Sequence, residues 1–354
     1  MSGPGEKHAR FPRDLDPSAG ASLEEDPASP ESTVSPNGRA PQPTSEPPPG
    51  KGAGRSLQRS EVYPRPVADG RELRDNPATR LRDRVRQLSH SRGEREEMAL
   101  ERRLRDIPGV SRPNTIAVIS PKGGVGKTTA TFLIGDLLSS HLRVKTIAVD
   151  ANPDFGTLAR LAPERTRAEP TLVELLGHMG RMHSGAELRA FVSRVPSGLH
   201  LLAAPANAEV MAEITPERYG QVVAFLAQFY DVVLLDCGTG INDPLARFAV
   251  ERADQIVVVT TPDWVTSNTV LGALRHLPLE RATLVLNRSG PGPGDRRAIE
   301  ASFARQRLSR RTVLPYDEQL ATMLDSGTYA LEGLRRRVRL PIKELGLAVG
   351  EQLV

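Results

Sequence analysis

The sequence predicts an α/β fold: one doubly wound, mostly parallel sheet behind a long N-terminal extension with no core of its own. Two observations predict the sheet. From residue 115 onward, short β-branched runs (115–119, 144–149, 199–203, 232–235, 255–260, 283–286 and 312–314) alternate with helix-forming stretches (128–139, 216–229, 244–252, 265–274 and 296–308). The runs are apolar without alternation, as strands buried on both faces are. A third observation predicts the extension. Only 38% of the 354 residues are hydrophobic, and eleven of the 30 prolines fall in residues 1–50. A single compact domain running end to end is thereby excluded.

Along the chain, residues 1–77 read as a disordered, Pro-rich extension. Residues 1–50 hold eight acidic and four basic side chains among Pro, Gly, Ser and Ala, too little apolar surface to offset the ordering entropy. Residues 78–110 read as a charged helical linker, with Leu81, Val85 and Leu88 on one face, an interruption at Gly93 and a stop at Pro108–Gly109. The expectation for it is a solvated helix, with a partner- or nucleic-acid-binding arm as the other reading. Residues 111–354 form the α/β domain. One cysteine, Cys237, excludes a disulfide framework and cysteine-clustered metal sites within one chain, and reads as a small buried filler. No apolar run reaches the ~18 residues of a membrane span and no signal-peptide core precedes the charged start, so the expected location is cytoplasmic, with association to the nucleoid left open.

Chemistry concentrates between Ile116 and Thr129. Only six of the 47 basic residues are lysines, yet two of them, Lys122 and Lys127, lie five residues apart in one glycine-rich turn. An apolar strand enters Lys122-Gly123-Gly124-Val125-Gly126-Lys127-Thr128-Thr129, and a helix leaves it, which is the context of a phosphate-binding loop. Glycines let backbone N–H groups converge on phosphate oxygens, and the helix N-terminus adds partial positive charge. In this reading Lys127 binds the β- and γ-phosphates of a nucleotide and Thr128 places its hydroxyl on Mg²⁺. The fold is then of P-loop NTPase type. Asp236 ends an apolar strand (231–236) as a second Mg²⁺ group, acting through water.

The stretch Lys-Gly-Gly-Val-Gly-Lys-Thr-Thr, with Pro121 where the generic pattern has its first glycine, resembles the deviant Walker A motif of the ParA/MinD ATPases. The resemblance implies that two chains sandwich two ATP molecules and that Lys122 reaches across to the partner's nucleotide, much as an arginine finger does. It implies that Asp150 stands near Mg²⁺ and the attacking water. The family's second switch carboxylate corresponds here to Asn152, which cannot accept a proton as a carboxylate does. Either Asp154 substitutes or hydrolysis is slow, and slow hydrolysis is the favoured expectation. The residues after Asp236 resemble the segment that senses the γ-phosphate. Asn287 resembles the family's adenine-binding Asn, and Pro315, Tyr316 and Asp317 its loop over the base.

Together these imply a Mg²⁺-dependent ATPase that dimerises with ATP and positions or partitions a cargo, either DNA or a cell-surface or secretion machinery. A protein partner would stimulate it. The alternative is a weakly hydrolysing ATP-sandwich scaffold that recruits a partner, tied to septum placement or secretion. Two surfaces bear on the cargo. Arg296, Arg297, Arg305, Arg307, Arg310 and Arg311 surround one predicted helix and suit non-specific DNA, though a solvated face is the favoured expectation. Leu331, Leu334, Val338, Ile342, Leu345 and Val349 recur at helical spacing. Pro341 is expected to break that stripe, and docking on the domain is expected over membrane binding.

Overall fold

The computed structural model describes residues 92–152, 157–182, 184–240, 243–289 and 295–353. The extension 1–77 and the stripe Leu81–Val85–Leu88 therefore lie outside the described residues. In chain order the elements are α1 (Arg92–Arg105), β1 (Asn114–Ser120), α2 (Lys127–Ser140), β2 (Thr146–Ala151), α3 (Leu172–His178), α4 (Gly185–Leu188), β3 (Ser193–Arg194), β4 (His200–Leu202), α5 (Ala208–Ala212) and α6 (Pro216–Leu226). They continue with β5 (Val232–Thr239), α7 (Pro244–Arg252), β6 (Gln255–Thr260), α8 (Trp264–Leu274), β7 (Ala282–Ser289), α9 (Asp295–Ala304), β8 (Arg310–Pro315), α10 (Glu318–Asp325) and α11 (Arg336–Gly350).

The eight strands form one sheet in the order β3-β4-β2-β5-β1-β6-β7-β8. Every pairing is parallel except the short β3–β4 ladder. In β1, Ala117 and Ile119 join the apolar cluster on one face of the sheet, and Ile116 and Val118 join the cluster on the other. A strand buried on both faces needs apolar residues at consecutive positions, which is why these runs do not alternate. Helices α3, α6, α7 and α8 cover the first face, and α2, α10 and α11 the second. The doubly wound fold is thus as expected from the sequence.

Local chemistry sets the boundaries. Asp243 caps α7 by accepting from the Ala246 N–H at 2.8 Å, with Pro244 at the first helical position. Asp263 caps α8 in the same way, 2.9 Å from the Thr266 N–H. The strand expected from residue 144 starts later, at Thr146. The Val144 N–H instead donates to the Leu138 carbonyl at 3.0 Å, closing the end of α2 through Arg143 at φ +55°.

Two further expectations change. Pro341 does not break the C-terminal stripe, because α11 runs through it. It sits one turn into the helix, where losing one N–H bond costs little against the burial of Val338, Ile342, Leu345 and Val349. Those side chains dock on β8 and α2, and no described helix is long and apolar enough to cross a membrane.

The linker helix is not solvated all round. Helix α1, with Gly93 in its first turn, packs beside α11 through Leu100, Leu104 and Leu347. Paired contacts from Arg336–Glu96 to Arg103–Glu351 run in the same sense along both helices, so the two are parallel. Between them the Lys343 side chain, with no exposed surface, donates to Glu97 at 3.0 Å and Glu101 at 2.6 Å. Arg339 clamps Glu97 with two donors, at 2.5 and 3.0 Å. The Arg339 hydrogen bond holds the Glu97 carboxyl down at about 2, prevailing with help from Lys343 over the opposing effect of burial. Burial works against the Lys343 charge, but its bonds to Glu101 and Glu97 outweigh this and raise its pKa.

Candidate nucleotide site

The site lies past the carboxyl ends of β1, β2, β5 and β7, as ligand sites do in open α/β sheets. The turn between β1 and α2 depends on backbone freedom at two positions: Gly124 and Gly126 have φ of +75° and +91°. At Gly126 a side chain is also excluded by space, since a Cβ would lie 2.2 Å from the Asn287 Nδ2. Gly126 is the N-cap of α2 and supplies no side-chain acceptor. The first N–H groups of α2 are therefore without a side-chain cap, which is the arrangement that receives phosphate. Lys127 and Thr128 open this helix, and Lys127 is nearly buried.

Next to this turn two carboxylates stand on neighbouring strands. Asp150 and Asp236 are direct register partners across β2 and β5, and both are buried. The Asp236 Oδ1 accepts from the Thr131 hydroxyl at 3.2 Å, and Thr128 also hydrogen-bonds this carboxylate. Its Oδ2 is buried without any hydrogen-bond partner. Burial foremost, then repulsion from Asp150, pushes Asp236 up to about 7 against the pull of Thr128 and Lys127. Asp150 is likewise raised by burial, although it accepts from the Asn152 N–H at 3.1 Å and the Leu158 N–H at 3.0 Å. An orphaned carboxylate oxygen beside a second acid and a hydroxyl is an oxygen donor set short of one cation, and it fits Mg²⁺. Asp236 and Thr128 would hold that ion. When bound, it would neutralise charge on the phosphate oxygens.

The other candidate residues fall in varied places. Lys122 is exposed, and its Nζ donates to the Thr266 hydroxyl in the first turn of α8 at 3.0 Å, so it is turned from its own phosphate turn. Asn152 ends the described part of the β2 loop, and Asp154 lies outside the described residues. Asn287 is buried, and its amide donates to the Val125 carbonyl at 2.8 Å, bracing the phosphate turn itself. Pro315 ends β8, and Tyr316 is 57% exposed beside it, leaving a ring face open to a base. Asp317 caps α10 through the Leu320 N–H at 3.1 Å and pairs with Arg337 at 3.3 Å, so both its oxygens are engaged within the protein. Burial pushes the Cys237 thiol well up, which suits a filler. Of the arginines around α9, Arg305, Arg307, Arg310 and Arg311 are exposed, while the side chains of Arg296 and Arg297 are outside the described residues.

Sequence reasoning missed three features here. One is Thr131, a second hydroxyl on Asp236, which reads as an ordinary helix residue. The second is Thr266, which holds Lys122 from 144 residues away. The third is Arg288, at φ +55° immediately after Asn287, where the β7–β8 register shifts. A non-glycine residue in that region carries a cost of roughly 1–2 kcal/mol, and no signal in the sequence marks it.

A family model described as an AAA domain matches residues 113–276. The ESX-1 secretion-associated protein EspI of Mycobacterium tuberculosis H37Rv is 28% identical over 279 residues, 75% of this chain and 40% of EspI. The septum site-determining protein MinD of Synechocystis sp. PCC 6803 is 32% identical over 181 residues, 50% of this chain and 65% of that MinD. This chain thus matches 40–65% of the length of these two relatives. Among solved structures, a ParA family ATPase from Chlorobium tepidum TLS superposes with a TM-score of 0.58 at 24% identity, covering 67% of this chain and 98% of that one. MinD from Pyrococcus horikoshii OT3, complexed with Mg-ADP, gives a TM-score of 0.53 at 21% identity, covering 67% and 94%. At those identities the likeness is one of fold.

Proposed function

We propose that this chain is a P-loop ATPase of the ParA/MinD type that binds Mg-ATP, dimerises with it, and uses slow hydrolysis to reset the assembly. The observation that carries this reading is the Thr128–Asp236–Asp150 cluster, with its orphaned Asp236 oxygen, set against the uncapped start of α2. In the reading, the backbone N–H groups of the turn and Lys127 hold the β- and γ-phosphates. Thr128 and Asp236 hold the cation. Asp150 accepts from the Asn152 and Leu158 N–H groups, and so holds the Asn152 backbone next to the cation site.

Lys122 supports the dimer half of the proposal. It is exposed, its ammonium donates to the Thr266 hydroxyl, and a nearby carboxylate, Asp263, is itself engaged by Thr261 and by the first turn of α8, so a phosphate offers it a stronger partner than those it has. ATP, but not ADP, is expected to shift the chain from monomer to dimer in light scattering, and Lys122→Ala to remove that shift. Dimerisation of the variant at wild-type ATP concentration would exclude the cross-dimer role.

Asn152 sets the rate. An amide orients water but takes no proton, so Asn152→Asp is expected to raise turnover by ~10²-fold or more, within the usual contribution of a general base. Asp154→Ala in the wild-type background is expected to leave turnover unchanged. A collapse there would make Asp154 the working carboxylate.

For the cargo, we favour a secretion machinery over DNA. EspI, named as secretion-associated, matches 75% of this chain and so extends past the 113–276 segment shared with the family model. Partition of DNA stays the second reading, resting on the four exposed arginines after α9.

A further inference from the structure

We propose that Thr131 is a positioning residue for the cation of the nucleotide site: its hydroxyl fixes one oxygen of Asp236 and so presents the other, Oδ2, to Mg²⁺. This role rests on the Mg-ATP reading of the site. Thr131 stands one turn past Lys127 in α2 and has no exposed surface. Residues three apart share a helix face, so Thr128 and Thr131 line up two hydroxyls along the side of α2 that meets the end of β5. The Thr131 Oγ1 lies 3.0 Å from the Lys127 carbonyl and 3.2 Å from the Asp236 Oδ1. The first contact is the ordinary one for a threonine inside a helix, whose hydroxyl bonds the carbonyl four residues back. The second is not local, because Asp236 is 105 positions away in the chain.

The hydroxyl has one proton for these two acceptors, and an ionised carboxylate outcompetes a peptide carbonyl for it. The two oxygens of Asp236 are then unequal. Oδ1 is held from α2, while Oδ2 is buried with no hydrogen-bond partner. The terminal torsion of an aspartate is broad, so an unheld carboxylate would have to lose that freedom when the ion binds. A bond to Oδ1 removes it beforehand. Thr128 also bonds the carboxylate, but in the Mg-ATP reading it serves the cation as well, which leaves Thr131 as the hydroxyl dedicated to orientation. Groups that orient a metal-binding carboxylate without touching the metal typically contribute ~10- to 100-fold in metal affinity.

Isothermal titration of the full chain with ATP, once in Mg²⁺ and once in EDTA, gives the factor by which the cation tightens binding. Thr131→Val keeps the β-branched shape and removes the hydroxyl, and it is expected to lower that factor by ~10-fold or more. ATP affinity in EDTA should stay at the wild-type value, because Lys127 and the N–H groups of the turn are untouched. Thr131→Ser loses the methyl but keeps the hydroxyl, so it should restore the Mg²⁺ factor, which a role in packing alone would not. Should the valine variant fail to fold, Thr131→Ala is compared with Thr131→Ser in its place. The proposal is overturned if a folded variant without the hydroxyl keeps the wild-type Mg²⁺ factor, if its affinity in EDTA falls in parallel, or if Thr131→Ser behaves like Thr131→Val. A wild-type chain whose ATP binding ignores Mg²⁺ would overturn the Mg-ATP reading itself, and this role with it.

Discussion

Lys127→Ala is expected to cut ATP binding and turnover by ~10²- to 10³-fold while leaving thermal unfolding unchanged. The ammonium lies at the first helical position of α2, nearly buried, and it is one of the influences that lowers the Asp236 pKa. Alanine keeps the helix, since no ordinary residue is a better helix former. What is lost is the positive charge beside the uncapped N–H groups. Those groups still attract an anion, so weak residual binding of nucleotide should survive at high concentration. Isothermal titration with ATP, with and without Mg²⁺, separates the contributions. Wild type should show a large Mg²⁺ effect because the cation completes the Asp236 site. Unaltered ATP affinity in Lys127→Ala would remove the turn between β1 and α2 as the phosphate site.

Much of this architecture is legible in the sequence because two strong signals coincide. Seven of the eight strands contain short β-branched or apolar runs such as Val232–Leu235, whose strand length and alternation with helical stretches suit a sheet covered on both faces. The glycine spacing around Lys127 requires positive φ at Gly124 and Gly126, and a strand and a helix flank it as the phosphate-loop reading demands. Strand β3 is two residues long and carries no pattern to detect. The short helices α3 and α5 are held by side-chain caps at Thr171 and Asn207, and α4 by the burial of Leu188, rather than by periodicity. Asn287 is the instructive case at the site. The run 283–286 places it just past a strand, whereas β7 continues to Ser289, and its reach to the Val125 carbonyl depends on contact between residues 162 positions apart. Arg339 and Lys343 read as surface charge in a basic helix, because nothing local announces that Glu97 lies against them.

Glu97→Ala is expected to destabilise the protein by ~2 kcal/mol, the range of losing charge-assisted hydrogen bonds, because Arg339 loses its bidentate acceptor and Lys343 one of its carboxylates. Lys343 has no exposed surface, and without Glu97 it keeps Glu101 and the more distant Glu332 at 3.4 Å, while Arg339 loses its bidentate partner. Glu101→Ala should cost less, below about 1 kcal/mol, because that carboxylate is 38% exposed and water replaces its bond. Urea unfolding of the two variants measures the contrast directly. The pH dependence follows from the sign of the shift. The folded-state pKa of Glu97 is depressed from 4.5 to about 2, so its contribution is fully present above pH 4.5 and is lost as pH falls toward 2. Lys343 is shifted upward, so its contribution holds below its ordinary value of 10.5 and is lost only at still higher pH. Between these limits the charged cluster holds, but His141 beside it is held below the usual histidine value by burial and by Lys343, so some stability is lost as pH falls below 6.5. In Glu97→Ala the acid-side loss due to that carboxylate should vanish, and amide exchange in α1 should approach that of a detached helix at every pH. If α1 stays as protected as in wild type, the apolar contacts of Leu100 and Leu104 hold the seam alone, and the ionic cluster contributes nothing to it.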